Sequence, residues 1–285
     1  MQQDCLQRFI FEHSDVRGEI LRLNKSFKTI TEQHYYPTLI RQLLGEALTT
    51  SILLTATIKF SGNLTLQFQT NNDRPVKLLV ARCDQNFNIR GLVQFNESLL
   101  KDIKTSTALL GEGQLVVTIS PDNSVQPYQS IIPLHDQGIA QSLENYFAQS
   151  EQLATRIWLA SSENSCAGIL LQLLPEKASR EREFFWEHAV RIGETITPEE
   201  LLTLPSETIL HRLYHDQDIR LFDTQPIQFK CHCSKKGMEN AIRTLGEQEA
   251  MLLIDEKQCI TVTCEFCNSY YNFDKVDVAN IFHHT

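Results

Sequence analysis

The sequence predicts an α+β protein with a large N-terminal domain of mixed strands and helices, a short helical linker and a small C-terminal domain. Three observations predict this arrangement. Short apolar runs separated by turn residues fill residues 1–178, whereas residues 179–228 are acidic and have helical periodicity. Residues 229–285 contain two close pairs of cysteines. The 285 residues are enough for one large domain and one smaller domain.

The N-terminal domain is predicted from apolar runs bounded by Gly, Asn, Asp or Pro. The predicted strands are Arg8–Phe11, Glu19–Leu23, Leu64–Phe68, Val76–Ala81, Ile89–Val93, Leu115–Ile119, Tyr128–Ile132, Arg156–Ala160 and Ala167–Leu174. A helix is predicted after Pro37, because apolar side chains there recur in steps of three and four: Leu39, Ile40, Leu43, Leu44, Ala47, Leu48 and Ile52. A second helix is predicted around Leu143, Tyr146, Phe147 and Ser150, and the domain is expected to end near Pro175.

Residues 179–228 are predicted to form short helices. Apolar side chains repeat in steps of four, three and four, at Phe185, Ala189, Ile192 and Ile196. Thr197 and Glu200 have the spacing of a capping box, and Ser206 is the expected N-cap of a further helix. Helices this short are marginal in water on their own. We therefore expect this linker to stay folded only while neighbouring parts of the protein support it.

Charge and hydropathy exclude several classes of protein. The net charge is −9, and the linker alone has 5 basic and 10 acidic residues. A nucleic-acid binder usually carries a positive surface, so that class is disfavoured. No run approaches the roughly 18 apolar residues of a membrane span, and the N-terminus lacks the pattern of a secretory signal. We expect a cytoplasmic protein, whose eight cysteines would be kept reduced.

The paired cysteines predict a zinc site. Cys231 and Cys233 form a C-x-C pair, and Cys264 and Cys267 form a C-x-x-C pair 30 residues further on. Two such pairs are typical of a tetrahedral site in which four thiolates bind one zinc ion. Asn268 follows the second pair, where such a turn often needs a residue that tolerates positive φ. Residues 229–285 are therefore predicted to be a zinc-binding domain.

Spacing alone leaves the role of that zinc open. The four cysteines are compatible with a purely structural ion, and less well with buried thiols that bind no metal. A redox switch is favoured by the C-x-C pair, because its disulfide would close a small, strained and easily reduced ring. Cys259 could be a competing metal ligand or a disulfide partner, but we favour the interpretation that it takes no part in the site. His232 is expected to point away, and Cys5, Cys83 and Cys166 are interpreted as ordinary reduced cysteines.

No enzyme motif is present in the sequence. The G-x-S-x-G, P-loop and dinucleotide-binding glycine patterns are absent, so we expect no catalytic activity. Two alternatives remain. One is a zinc-ribbon protein that binds nucleic acid, and the other is a thiol–disulfide oxidoreductase that uses Cys264 and Cys267.

Several motifs together resemble one family, the 33 kDa chaperonins (heat shock protein 33), which are bacterial redox-regulated holdases. The resemblance covers nearly the whole chain. Besides the C-x-C and C-x-x-C pairs, the matching segments are Leu43–Ala47, Leu53–Phe60, Glu144–Phe147, Ser150–Arg156, Glu200–Pro205 and Arg212–His215. Cys259 has no usual counterpart in the family, which leaves the disulfide pairing open to that extent.

The resemblance implies a function that needs no ATP. The reduced protein would be an inactive monomer with one zinc ion on Cys231, Cys233, Cys264 and Cys267. Oxidation would form the disulfides Cys231–Cys233 and Cys264–Cys267, release zinc and unfold the zinc domain and then the linker. The active form would dimerise and bind unfolding client proteins. The side chains expected to become exposed, or to uncover a surface, are Phe184, Phe185, Trp186, Leu201, Leu202, Leu213 and Phe222.

Overall fold

The computed structural model describes residues 4–70, 74–101, 103–111, 113–123, 126–134, 138–175 and 179–283. The chain divides into two compact units, Met1–Phe229 and Lys230–Thr285, which are described separately below. Residues 179–228, predicted as a linker, belong to the first unit by their contacts. Among the residues described, no helix is long and apolar enough to span a bilayer.

The first unit mixes strands and helices, as the sequence predicts. Its strands are β1 (Cys5–Phe11), β2 (Val16–Leu23), β3 (Gly62–Gln69), β4 (Val76–Asp84), β5 (Asn88–Phe95), β6 (Gln114–Pro121), β7 (Tyr128–Pro133), β8 (Thr155–Ser161), β9 (Cys166–Leu173), β10 (Ile219–Leu221), β11 (Gln225–Pro226) and β12 (Gln228–Phe229). Its helices are α1 (Lys25–Thr31), α2 (Thr38–Thr57), α3 (Ser106–Leu110), α4 (Ile139–Tyr146), α5 (Arg180–Gly193), α6 (Pro198–Thr203) and α7 (Ser206–Tyr214).

The strands form two sheets. The first has the order β10-β1-β2-β9-β8 with β11 also on β1, and all its pairs are antiparallel. The second has the order β12-β5-β4-β3-β6-β7, and only the β12–β5 pair among the described strands is parallel. The short strands β10 to β12 thus extend both sheets with the last residues of the unit.

Helix α2 packs against strands of both sheets and forms the centre of the core. The sequence predicts one broad apolar stripe, but the structure buries the helix on almost every side, including Thr50, Ser51 and Thr55. These hydroxyls donate hydrogen bonds of 2.7 Å to backbone carbonyl oxygens three or four residues earlier. Because buried polar groups need such partners, the helix can carry them without a large penalty.

The linker helices cover the outer face of the first sheet, opposite α2. A second apolar cluster joins side chains of β1, β2, β8 and β9 to Ala189, Leu201, Ile209, Leu210 and Tyr214 of α5 to α7. The ring of Tyr214 packs edge-on against Phe11 at 4.9 Å, and its hydroxyl donates to the carbonyl oxygen of Ala189 at 3.0 Å. The first sheet is thus the surface that these short helices need as a partner.

Some expectations for the linker are wrong in detail. Helix α5 ends at Gly193, so Ile196 lies in the connection to α6 rather than on the helix, although it still packs on the cluster. Ser206 is the first residue of α7, and Pro205 occupies the N-cap position without a side-chain hydrogen bond. Phe184 is already 72% exposed and Phe222 44% exposed, so the folded linker conceals neither ring fully.

The capping box of α6 is confirmed. The hydroxyl of Thr197 accepts a hydrogen bond from the Glu200 amide at 3.2 Å, and the Glu200 carboxylate accepts one from the Thr197 amide at 3.0 Å. Two amide groups that the first helical turn leaves without partners are thereby satisfied.

Thr197→Ala should lower the stability of α6 by about 1 kcal/mol, because one of these amides loses its acceptor. Native-state hydrogen exchange of the amides in 199–204 measures the effect. Thr203→Ala is the matched control, since this exposed threonine lies in the last turn of the same helix and caps nothing. Equal exchange rates in the two variants would contradict the role of the cap.

The second unit has a small core. It contains α8 (Lys235–Leu245), α9 (Glu247–Lys257), β13 (Ile260–Thr263), β14 (Tyr270–Phe273) and α10 (Lys275–His283). Strands β13 and β14 form an antiparallel hairpin. Its described buried apolar side chains are Ile242, Ala250, Ile254, Ile260, Phe273, Val278 and Ile281. A core of this size gives little stability without a further restraint such as a metal.

Candidate metal centre

The turn of the β13–β14 hairpin positions Cys264 and Cys267. The Asn268 amide donates to the carbonyl oxygen of Cys264 at 2.8 Å, and the Cys264 amide donates to that of Ser269 at 2.8 Å. Asn268 has φ 53°, which confirms the positive φ expected at this position. Asparagine tolerates this conformation better than most residues, so the turn can close with both sulfurs on one side.

Cys231 and Cys233 lie on the extended segment before α8. Ser234 follows directly and is the N-cap of that helix, its hydroxyl accepting a hydrogen bond from the Gly237 amide at 3.1 Å. The start of α8 is therefore fixed one residue after the second cysteine. The helix and the hairpin turn together hold the two cysteine pairs face to face.

The four sulfur atoms have the spacing of a tetrahedral metal site. The Sγ atoms of Cys231, Cys233, Cys264 and Cys267 all lie within 4.8 Å of one another. The Cys231–Cys264 separation is 3.7 Å, and the Cys233–Cys267 separation is 3.4 Å. A tetrahedron with zinc–sulfur bonds of about 2.3 Å has edges of about 3.8 Å, so the cluster fits zinc closely. Four soft thiolates are also the ligands that zinc prefers in structural sites.

Two hydroxyl groups support the sulfurs from outside the cluster. Tyr271 donates a hydrogen bond to the Sγ of Cys233 at 3.1 Å, and Oγ of Ser269 lies 3.4 Å from the Sγ of Cys267. The hydrogen bond to Cys233 raises the pKa of Tyr271 to about 12, so the phenol remains a donor at physiological pH. Such contacts orient metal ligands and stabilise their charge.

The sequence interpretation missed both hydroxyls. Ser269 is recognisable from its position two residues after a cysteine, whereas Tyr271 reaches the site only because the hairpin register places it opposite Val262. That register is a property of the folded hairpin and not of the cysteine spacing.

The thiols differ in how readily they lose a proton. Burial raises the pKa of Cys231, Cys233 and Cys264. Burial also acts to raise the pKa of Cys267, but hydrogen bonds from the side chain and backbone of Ser269, with those from Cys233 and Cys231, lower it to about 7. Hydrogen bonding therefore favours the thiolate form at Cys267, whereas burial disfavours it at the other three cysteines. A metal must displace the remaining protons, so its affinity should rise with pH.

Other candidate residues lie outside the cluster. Cys259 is not part of the four-sulfur group, and its thiol lies 3.8 Å from the Ile260 carbonyl oxygen. His232 is exposed and supplies no atom to the group. Cys83 and Cys166 are buried in the first unit, where burial raises the pKa of each thiol to about 12. A thiol with so high a pKa stays protonated at neutral pH and is a poor nucleophile.

Tyr271→Phe should weaken zinc binding about tenfold or more, because it removes one hydrogen bond to a ligand sulfur and leaves the ring in place. Competition against a chromogenic chelator gives the affinity. Tyr270→Phe is the matched control on the same strand, since Tyr270 is 71% exposed. An unchanged affinity in Tyr271→Phe would show that the hydroxyl does not support the site.

The fold and the sulfur cluster define a protein of two units whose smaller unit carries a thiolate site suited to zinc. Residues 4–274 match the sequence profile of the Hsp33 protein family. The chain belongs to this family.

Named relatives are similar in sequence over almost the whole length of this chain. The 33 kDa chaperonin of Pseudomonas syringae pv. tomato is 41% identical over 283 residues, covering 98% of this chain and 93% of the relative. The 33 kDa chaperonin of Shewanella sediminis is 41% identical over 285 residues, covering 100% of this chain and 98% of the relative. These are members of a chaperone family rather than of a family of enzymes.

A solved structure has the same fold. The crystal structure of a 33 kDa chaperonin, a heat shock protein 33 homologue from Thermotoga maritima, superposes with a TM-score of 0.82 at 23% identity. The superposition covers 100% of this chain and 99% of the chain from Thermotoga maritima. At that identity the likeness concerns the fold alone, and it agrees with the predicted mixed α+β class.

Proposed function

We propose that this chain is a redox-regulated, ATP-independent holdase. Residues 1–178 bind clients and dimerise, residues 179–228 are a metastable linker, and residues 229–285 are the redox switch. In the reduced state one zinc ion on the four cysteines keeps the protein an inactive monomer. The observation that carries the proposal is the cluster of four sulfur atoms within 4.8 Å of one another, in a chain of the Hsp33 family.

Oxidation of the four thiolates is the proposed trigger. Zinc, when bound, holds all four cysteines in the deprotonated form, which is the form that reacts with peroxide. Formation of each disulfide from two thiolates releases two electrons. One hydrogen peroxide accepts these electrons, takes two protons from the solvent and gives two waters. Two peroxides therefore convert the site into two disulfides. These sulfurs no longer carry the charge that binds zinc, so the ion leaves.

The pairing that we propose is Cys231–Cys233 and Cys264–Cys267, as the resemblance to the family implies. Each sulfur also lies within 4.8 Å of the two sulfurs of the other pair. Peptide mapping of the oxidised protein by mass spectrometry is therefore the direct test. A disulfide between the two cysteine pairs, or one that includes Cys259, would mean that oxidation forms other disulfides than those proposed.

Unfolding of the linker would supply the client-binding surface. The linker buries Leu201, Leu210 and Tyr214 against the first sheet, and their removal would uncover apolar side chains of β1, β2, β8 and β9. An apolar patch of this kind binds other unfolded chains. The excess of acidic over basic residues in the linker would help to keep the opened form soluble. The partners proposed are unfolding proteins of the cytoplasm and, in the oxidised state, a second copy of this chain.

One experiment tests the whole proposal. Zinc content, free thiols and the suppression of aggregation of an unfolding client are measured in parallel before and after treatment with peroxide. We expect zinc and four thiols to be lost together as the chaperone activity appears, and activity to disappear when thiols are restored by a reductant. Full activity in the reduced, zinc-loaded protein would refute the redox regulation but not the chaperone function.

A further inference from the structure

A cavity lined by both charged and apolar side chains lies between the first sheet and the C-terminal end of α2. Its volume is about 510 Å³, and its walls include Arg8, Arg17, Glu19, Lys59, Phe87 and Phe222. A volume of this size is within the roughly 300–1,000 Å³ of small-molecule sites in proteins. All its residues belong to the first unit, and the cysteine cluster does not use it. Phe9 is the lining residue that the cavity shares with the apolar cluster under the linker helices.

Glu19 is a buried carboxylate in this cavity. It is only 2% exposed, and its Oε2 atom has no hydrogen-bond partner. Arg8 is its direct neighbour in the pairing of β1 with β2, and Arg17 precedes it on the same face of β2. Burial raises the pKa of Glu19 to about 7, although both arginines act to lower it. Buried carboxylates are normally paired, so this oxygen requires an explanation.

Both arginines also have an unused donor. The Nε atoms of Arg8 and Arg17 are buried and have no hydrogen-bond partner. Within the described part of the chain, no ion pair joins either guanidinium to Glu19. Two cations and one anion therefore border the same cavity without an ion pair between them, which is the arrangement that a bridging molecule would complete.

Other contacts hold the two guanidiniums in place. One terminal nitrogen of Arg17 donates to the Thr57 carbonyl oxygen at 3.0 Å and to the side chain of Gln172 at 2.6 Å. The Arg8 guanidinium stacks over the ring of Phe87, 5.7 Å from its centre. Side chains that are fixed before a ligand arrives lose little entropy when it binds.

The charge and the shape of the cavity restrict what fits it. Arg8, Arg17 and Lys59 outnumber the single carboxylate, so an anion is favoured. Phe222, which is 44% exposed, adds an apolar wall that suits an aromatic or similarly flat body. The carboxylate of Glu19 then requires a hydrogen-bond donor on the same molecule.

We propose that this cavity binds a small organic anion whose carboxylate or phosphate group contacts Arg8 and Arg17. Its flat apolar body packs against Phe222, and a hydroxyl or amino group donates to Glu19. Phe222 lies within residues 179–228, and its amide donates to the Arg8 carbonyl oxygen at 3.0 Å. One wall of the site thus belongs to the segment that we propose to unfold, but ligand binding itself does not depend on the redox function.

The test is an NMR titration of the reduced, zinc-loaded full chain, observing the Nε–H signals of arginine. The probes are 4-hydroxybenzoate and 4-hydroxyphenyl phosphate, which distinguish a carboxylate from a phosphate. The neutral control is 4-hydroxybenzamide. We expect saturable shifts of the Arg8 and Arg17 signals with at least one anionic probe, and binding of the neutral control weaker by about tenfold or more. No saturable shift with either anionic probe up to roughly 10 mM would overturn the proposal.

Variants separate this site from general attraction of anions to the surface. Arg8→Gln should weaken binding of the anionic probes about tenfold, whereas Lys77→Gln, which removes an exposed cation on β4, should not. Glu19→Gln keeps the shape and removes the negative charge, so benzoate, which lacks a donor, should bind this variant more tightly than the wild type. Equal binding by Arg8→Gln and Lys77→Gln, or weaker binding of benzoate by Glu19→Gln, would overturn the assignment.

Discussion

Cys264→Ser should abolish tight zinc binding and unfold residues 230–285. Cys264 is the most buried of the four cysteines, and a serine hydroxyl is a poor ligand for zinc. Binding of structural zinc by thiolates contributes roughly 10–16 kcal/mol to folding of small modules, far more than this small apolar core can replace. Zinc stoichiometry in the presence of a weak chelator, together with hydrogen exchange in α8 to α10, measures both effects.

Cys259→Ser is the matched control for this substitution. Cys259 is on the same unit and close in sequence, but its sulfur is outside the four-atom group. This variant should keep one zinc per chain and its oxidation-triggered activity. Full zinc retention by Cys264→Ser, or zinc loss in Cys259→Ser, would mean that the four ligands are wrongly assigned.

Leu210→Ala should loosen the linker and partly activate the chaperone without an oxidant. Leu210 is 3% exposed and belongs to the cluster that joins α5, α6 and α7 to the first sheet. Truncation of a buried leucine costs about 2–5 kcal/mol, which is a large share of the roughly 5–15 kcal/mol that stabilises a typical domain. Hydrogen exchange of residues 180–214 should accelerate, while zinc content and free thiols remain unchanged.

Phe184→Ala provides the control within the same segment. Phe184 is 72% exposed, so its truncation removes a large aromatic side chain with little loss of buried contact. This variant should remain protected and inactive until oxidised. If Leu210→Ala loses linker protection and yet stays inactive while reduced, the linker does not control access to the client-binding surface, and the zinc unit must act by another route.

The sequence predicted the elements with strong periodicity. The alternating apolar residues of β3 and the steps of three and four in α2 are local patterns, and both elements are present. The clustering of the four cysteines was also predictable, because each pair is close in sequence and a single tertiary contact brings the two pairs together. Thr197 and Glu200 define their cap without help from any other part of the chain.

Features that depend on distant contacts were not predictable. Strands β10 to β12 have only two or three residues each, too few for any alternation to be visible, and they exist because β1 and β5 offer free edges. The sequence showed which residues of the linker are apolar. It did not show that Phe184 faces solvent while Leu210 is buried. The Oε2 atom of Glu19 that has no hydrogen-bond partner gives no signal in the sequence, since only the folded first sheet buries it and places Arg8 beside it.

The strands formed by residues 219–229 have a consequence for activation. They pair with β1 in the first sheet and with β5 in the second, so they close one border of each sheet. In the activated state that we propose, detachment of residues up to 228 would leave the backbone amides and carbonyls of β1 and β5 without these neighbours. An exposed sheet border of this kind readily takes up an added strand. An extended segment of a client could then form hydrogen bonds with the backbone of β1 or β5, beside the apolar surface. Backbone groups are the same in every protein sequence. Recognition through the backbone would let one chaperone hold many unrelated proteins.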